Sequence, residues 1–141
     1  MDPAALLDAS RRELDGWQAL AAAYRVLDAL LDDAAVDVDA AAIAAARARA
    51  DDAIVALRAA HEVLGPVRLA GVPIVPDVAT LWREAAAVAA EAAATNARLV
   101  VRARRRQAAV GERLGILAHG RRGLQGYRPG AAPRAATSHH V

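Results

Sequence analysis

The sequence predicts an all-α protein: an elongated antiparallel bundle of three long helices with a flexible C-terminal tail. Alanine, the best helix former, accounts for 41 of the 141 residues. Apolar residues recur at steps of three and four along most of the chain, which is the period of one helix face. Since the apolar residues are mainly Ala, Leu and Val, with no Phe, helices can approach closely while burying little area each. This composition favours a slim bundle over a thick globule.

The first helix is predicted over residues 3–31. Asp2 is a typical capping residue, and Pro3 suits the first helical position because its missing N–H needs no partner there. An apolar stripe follows to the end of the segment, and the acidic turn 32–39 separates it from the next helix.

The second helix is predicted over residues 40–64. Gly65 can adopt the left-handed conformation that ends a helix, and Pro66 opposes continuation. The linker 65–76 contains an apolar stretch, 72–75, which we expect to fold back over the end of the hairpin formed by the first two helices.

The third helix is predicted over residues 78–118, so that the bundle spans 1–118 and a disordered basic tail spans 119–141. At 1.5 Å per residue the third helix would be about 60 Å long, whereas each of the first two would be roughly 40 Å long. Its last third, 102–118, should therefore extend beyond the hairpin.

This predicted extension carries an apolar stripe with no partner in its own chain. Val110, Leu114 and Leu117 follow one another at helical steps of four and three. An unpartnered stripe of this kind indicates binding to another protein chain. We expect Leu99 and Ala103 to belong to the same partner-binding face.

Charge is distributed unevenly along the chain. Residues 1–97 carry a net −7 and residues 98–141 a net +9, which together give +2. An acidic body with a basic end indicates an interaction role for that end. Four arginines recur at helical spacing and are predicted to orient a partner by charge, while Arg104 lies off their face. They are Arg98, Arg102, Arg105 and Arg106.

Other functional classes find little support in the sequence. Without Cys there can be no disulfide or thiolate site. His61-Glu62 lacks the second histidine of a zinc protease motif, and no phosphate-binding glycine motif opens a helix. We therefore expect no enzymatic activity, cofactor or metal. No apolar stretch is long enough to span a membrane and the N-terminus has no basic signal segment, so a soluble cytoplasmic protein is predicted.

Asn96 admits two interpretations. It lies on or beside the apolar stripe of the third helix, where an amide either fixes the packing register inside the core or contacts a partner. Nucleic acid is disfavoured as that partner, since no aromatic residues alternate with the arginines to stack on bases.

In its overall layout, most of the chain resembles the FlgN-type flagellar export chaperones, which are small all-helical proteins with a long C-terminal helix and a flexible tail. The similarity is closest in "WREAAAVAAEAAATNARLVVRARRRQAAVGERLGILAHG", followed by "GYRPG". It consists of an Asn-containing polar break, a run with leucines, and a short Tyr-x-x-Gly element. The matching positions are Asn96, Leu99, Leu114, Leu117, Tyr127 and Gly130.

The resemblance implies a cytoplasmic chaperone that binds the C-terminal helices of hook-associated proteins. Such a chaperone prevents their premature assembly and delivers them to the flagellar type III export gate. Tyr127 would then contact the export apparatus. The alternatives are a coiled-coil structural protein that associates with its own copy, forming a homodimer, and a small nucleic-acid-associated protein that uses the arginine face.

Overall fold

The computed structural model describes residues 1–32 and 37–126, with side chains described as far as Arg122. It confirms the all-α prediction, because these ranges contain three helices and no strand. The helices are α1 (Pro3–Leu30), α2 (Ala40–Ala70) and α3 (Pro76–Gly126).

The chain divides into two compact units, Met1–Ala103 and Arg104–Val141. The first unit contains α1, α2 and the start of α3, and the described part of the second is the rest of α3. The bundle unit thus ends at Ala103, earlier than the predicted boundary at residue 118.

Helix α1 begins and ends almost as predicted. The Asp2 carboxylate accepts a hydrogen bond from the backbone N–H of Ala4 at 3.4 Å, and Pro3 occupies the first helical position. At the other end, the N–H of Leu31 still donates to Leu27 at 3.0 Å. The start depends on the local preferences of a capping residue and a proline, which explains why sequence alone located it.

Helix α2 differs from the prediction at its C-terminal end. Asp39 caps its start by accepting from the N–H of Ala42 at 3.0 Å. The helix then continues through Pro66 and stops at Gly71, whose φ of 61° is left-handed. The predicted stop at Leu64 is therefore wrong by six residues, about 1.7 turns.

Helix α3 starts earlier and ends later than predicted. Pro76 takes the first helical position, and the N–H of Ala79 donates to the carbonyl of Val75 at 3.1 Å. At the far end, residues 119–126 are helical, although they were predicted as tail. Residues 127–141 lie outside the described ranges.

Contrary to the prediction, the short connection between α2 and α3 does not cover the end of the hairpin. Val72 and Val75 are 56% and 51% exposed, and only Ile74 of this apolar stretch is half-buried. Because α2 takes up residues 65–70, too little chain remains to fold back over the core.

Within the first unit, α1 and α2 are antiparallel and α3 runs parallel to α1. A Cβ at Gly16 of α1 would lie 2.9 Å from the buried side chain of Leu57 in α2, so the two helices approach closely there. The core consists of small and medium apolar side chains in two clusters. One is Leu20, Ala23, Ala50, Ala53 and Leu57; the other is Leu27, Ala46 and Leu99.

Candidate partner-binding site

The most exposed apolar row in the second unit lies on α3, and we call Val110, Leu114 and Leu117 the distal strip. Their residue surfaces are 54%, 61% and 66% exposed. Successive members are four and three residues apart, which places them on one face of the helix. Ile116 is 71% exposed but lies two residues from Leu114, so it points away from this face.

The helix around the distal strip is strongly basic, and no described side chain crowds Gly111 or Gly115. From Arg104 to Gly126 it carries six arginines against one acid, Glu112. A Cβ built at Gly111 or Gly115 would meet no described atom within 4 Å. The segment therefore offers an apolar seam with a positive border.

Three other predicted partner-binding residues line a groove in the first unit. Asn96, Leu99 and Ala103 contribute to this proximal groove, a cavity of about 300 Å³ between the three helices. Leu99 is only 7% exposed and packs against Leu27 and Ala46, so it mainly holds α3 onto the hairpin. Leu99 was predicted to lie on the partner-binding face, but its side chain is already buried within the bundle.

Asn96 is exposed, which rules out its reading as a register-fixing core amide. The buried polar residue at this level of α3 is its neighbour Thr95, which is 2% exposed. Thr95 accepts a hydrogen bond from Arg98 at 3.2 Å. A change of one position rotates a side chain by about 100° around a helix, which is enough to exchange core for surface.

Two of the four predicted orienting arginines contact α1. Arg102 donates to the backbone carbonyl of Asp28 at 2.9 Å and lies 3.3 Å from its carboxylate. Arg98 approaches the same carboxylate at 3.8 Å. Both therefore fasten α3 to α1. Of the remaining pair, Arg105 is exposed and Arg106 is half-buried.

A polar clasp that the sequence pattern did not predict joins all three helices at the other end of the first unit. The Glu13 carboxylate of α1, with a side chain 4% exposed, accepts two hydrogen bonds from Arg68 of α2, at 3.0 and 2.6 Å. His61 contacts the same carboxylate at 2.9 Å. The Arg68 guanidinium lies 4.5 Å from the ring centroid of Trp82 in α3.

The clasp could have been suspected from Glu13 itself. This residue falls three positions after Ser10, which lies on the apolar stripe of α1, and a buried carboxylate requires a partner. The indole N–H of Trp82 donates to the Ser10 hydroxyl at 2.9 Å. Arg68 could not be assigned because it lies beyond the predicted end of α2.

The described residues hold no group of three or more His, Asp or Glu side chains arranged as metal ligands. Among the described helices, none combines the length and apolarity that crossing a bilayer requires. Tyr127, the residue predicted to contact the export gate, lies outside the described ranges.

No protein-family model, curated protein or solved structure matches the chain.

Proposed function

We propose that the protein binds an acidic amphipathic helix of a client protein along the distal strip of α3. The observation that carries the proposal is the exposure of Val110, Leu114 and Leu117, each more than half accessible on one face of a basic helix. A client helix would place its apolar face on this seam and its acidic side chains beside the arginines.

The width of the seam favours a helix over a membrane. Three residues at steps of four and three form a narrow row, the geometry through which two helices pair. An interfacial helix needs a broader apolar face, commonly with aromatic side chains. Residues 104–126 contain no Trp, Tyr or Phe. The same lack of aromatics disfavours single-stranded nucleic acid.

The charge of the segment favours an acidic client over a second copy of this chain at the strip. Two copies paired here would bring together twelve arginines and only two acids. Like charges across such a contact oppose association, whereas an acidic helix is attracted to the same border.

On the basis of its resemblance to FlgN-type chaperones, we propose that the protein acts as a flagellar export chaperone. In that role, the clients are the C-terminal helices of hook-associated proteins. Covering their apolar faces would keep them from assembling early, and release at the type III export gate would follow. The support for this identity is the pattern of residues from Asn96 to Gly130, together with the exposed strip.

The proposal is tested by titrating labelled peptides, made from the C-terminal helices of hook-associated proteins, with the full chain and measuring fluorescence anisotropy. Leu114→Asp and Leu117→Asp should each weaken binding about thirtyfold or more, because each places a carboxylate in the apolar seam. Ile116→Asp is the matched control: Ile116 is 71% exposed on the same helix but lies off the strip, so this variant should bind nearly normally.

Equal losses of peptide affinity in all three variants would show that binding depends on the charge of the helix and not on the apolar strip. If the parent chain binds none of the peptides, hook-associated proteins are not its clients. A salt titration with a DNA duplex covers the remaining alternative. Salt-dependent DNA binding tighter than peptide binding would favour a nucleic-acid-associated protein.

A further inference from the structure

The proximal groove has an apolar floor that the residues described by the structure leave open. Its larger lining side chains come from all three helices, and Val100 on its edge is 40% exposed. Ile43 and Ile54 of α2 are half-buried there, and Val55, one helical turn after Asp51, is 66% exposed. The groove is lined by Tyr24, Leu27, Leu31, Ile43, Ile54, Leu99 and Val100, among others.

Two opposite charges stand on the α2 rim of this groove. Arg47 and Asp51 line it, are both exposed and are one helical turn apart. Within the part of the chain that the structure describes, neither forms an ion pair or hydrogen bond. Their order along the helix explains the missing ion pair. When the basic residue precedes the acidic one by four positions, the attraction between the two side chains is weaker than in the reverse order.

We propose that the proximal groove is the interface of a symmetric homodimer, in which α2 packs antiparallel to the α2 of a second copy. A two-fold axis midway between Arg47 and Asp51 places Arg47 opposite the partner's Asp51. The same axis places Asp51 opposite the partner's Arg47, so one rim supplies two attractive pairs. This self-complementarity is what a two-fold interface demands of its surface.

The register set by the pairing of positions 47 and 51 also places apolar residues of the two α2 helices at matching heights. The axis that pairs positions 47 and 51 also brings Val55 to the height of the partner's Ile43, so the most exposed valine of α2 lies level with the apolar edge of the opposite groove. Ala44, also exposed on this side of α2, comes to the height of the partner's Ile54. A small residue there lets the two helices approach closely.

The balanced rim also explains why this groove would select a second copy and not the acidic client. An acidic helix would gain near Arg47 but would be repelled by Asp51, so it has no net attraction here. A parallel second copy would face arginine with arginine and aspartate with aspartate. The antiparallel copy is therefore the arrangement that satisfies both charges.

The test is sedimentation equilibrium of the full chain without peptide, between about 1 µM and 1 mM, where modest interfaces dissociate. The parent chain should reach twice the monomer mass. Arg47→Asp and Asp51→Arg should each raise the dissociation constant about tenfold or more, because each converts two attractive pairs into two repulsive ones. The double variant with both changes restores the pairing and should dimerise like the parent.

Circular dichroism checks that each variant keeps its helices, as expected for two exposed positions. Leu114→Asp separates this interface from the distal strip, and its dimer should persist. A parent chain that is monomeric throughout, or a dimer insensitive to both single reversals, would overturn the proposal. So would a dimer lost in Leu114→Asp, since the interface would then lie on the distal strip.

Discussion

At the scale of single residues, the close approach of α1 and α2 depends on the absence of a side chain at Gly16. This glycine is buried in the middle of a helix, where it costs about 1 kcal/mol relative to alanine. The space that a methyl group would fill belongs to Leu57, which is 4% exposed and held in the core. Contact with Leu57 therefore outweighs helix propensity at this position.

Gly16→Ala should lower the free energy of unfolding by about 1–2 kcal/mol, because overpacking against Leu57 exceeds the gain in helix propensity. Urea unfolding followed by circular dichroism measures the change. Gly115→Ala is the matched control, since nothing described lies within 4 Å of its Cβ position. It should leave stability equal or slightly raised. A stabilised Gly16→Ala variant would mean that the helices can separate at little cost.

The arginines of α3 show what residue spacing can and cannot reveal. Spacing places Arg98 and Arg102 on one face of the helix, but it does not say which acid meets that face. Both arginines lie beside the carboxylate of Asp28, which precedes Arg98 by 70 residues and Arg102 by 74 residues. The partner is set by how α3 lies on α1, which is a property of the packed bundle.

At the scale of elements, the end of α2 shows a tertiary contact overriding a local stop signal. Pro66 removes one helical hydrogen bond, and the turn after it is exposed, with Leu69 91% accessible. Arg68, in this same turn, is held by the buried carboxylate of Glu13 and by the ring of Trp82. We infer that these contacts keep the helix going to Ala70.

Arg68→Ala should therefore shorten α2 to about Leu64, the end that Gly65-Pro66 alone would give. Native-state hydrogen exchange should show the amides of residues 67–70 losing protection while those of 57–64 keep theirs. Arg58→Ala, an exposed position on the same helix, is the control and should change neither set. Unaltered protection of residues 67–70 in Arg68→Ala would show that the last turn needs no clasp.

At the scale of the whole molecule, stability and the proposed client binding are assigned to different stretches of chain. The buried core residues of the described ranges run from Ala9 to Leu99, all in the first unit. The distal strip lies in the second unit and contributes nothing to that core. A chain organised in this way can lose one property without the other.

A chain truncated after Gln107 should keep its fold and lose its client. Its thermal midpoint should stay within about 4 °C of the parent, the shift that roughly 1 kcal/mol produces in a domain of this size. Peptide binding should fall below detection because the distal strip is gone. Undiminished peptide capture by this truncation would place the client site in the first unit.

Features that depend on neighbouring residues could be predicted from the sequence alone. Asp2 with Pro3 located the start of α1, and the apolar period gave three helices and their order along the chain. It also predicted the apolar row Val110, Leu114 and Leu117, whose exposure the structure bears out. These signals are local, since capping and helical periodicity act within one or two turns.

Tertiary structure decided the features that depend on residues far apart in the chain. Glu13 and Arg68, 55 residues apart, meet only because α1 and α2 pack antiparallel, and we expect their contact to extend α2 past Pro66. The packing of α3 likewise buried Leu99, exposed Asn96 and left the proximal groove open with Arg47 and Asp51 on its rim. A period of three and four identifies a face of a helix, but only the neighbouring helices determine whether that face is covered.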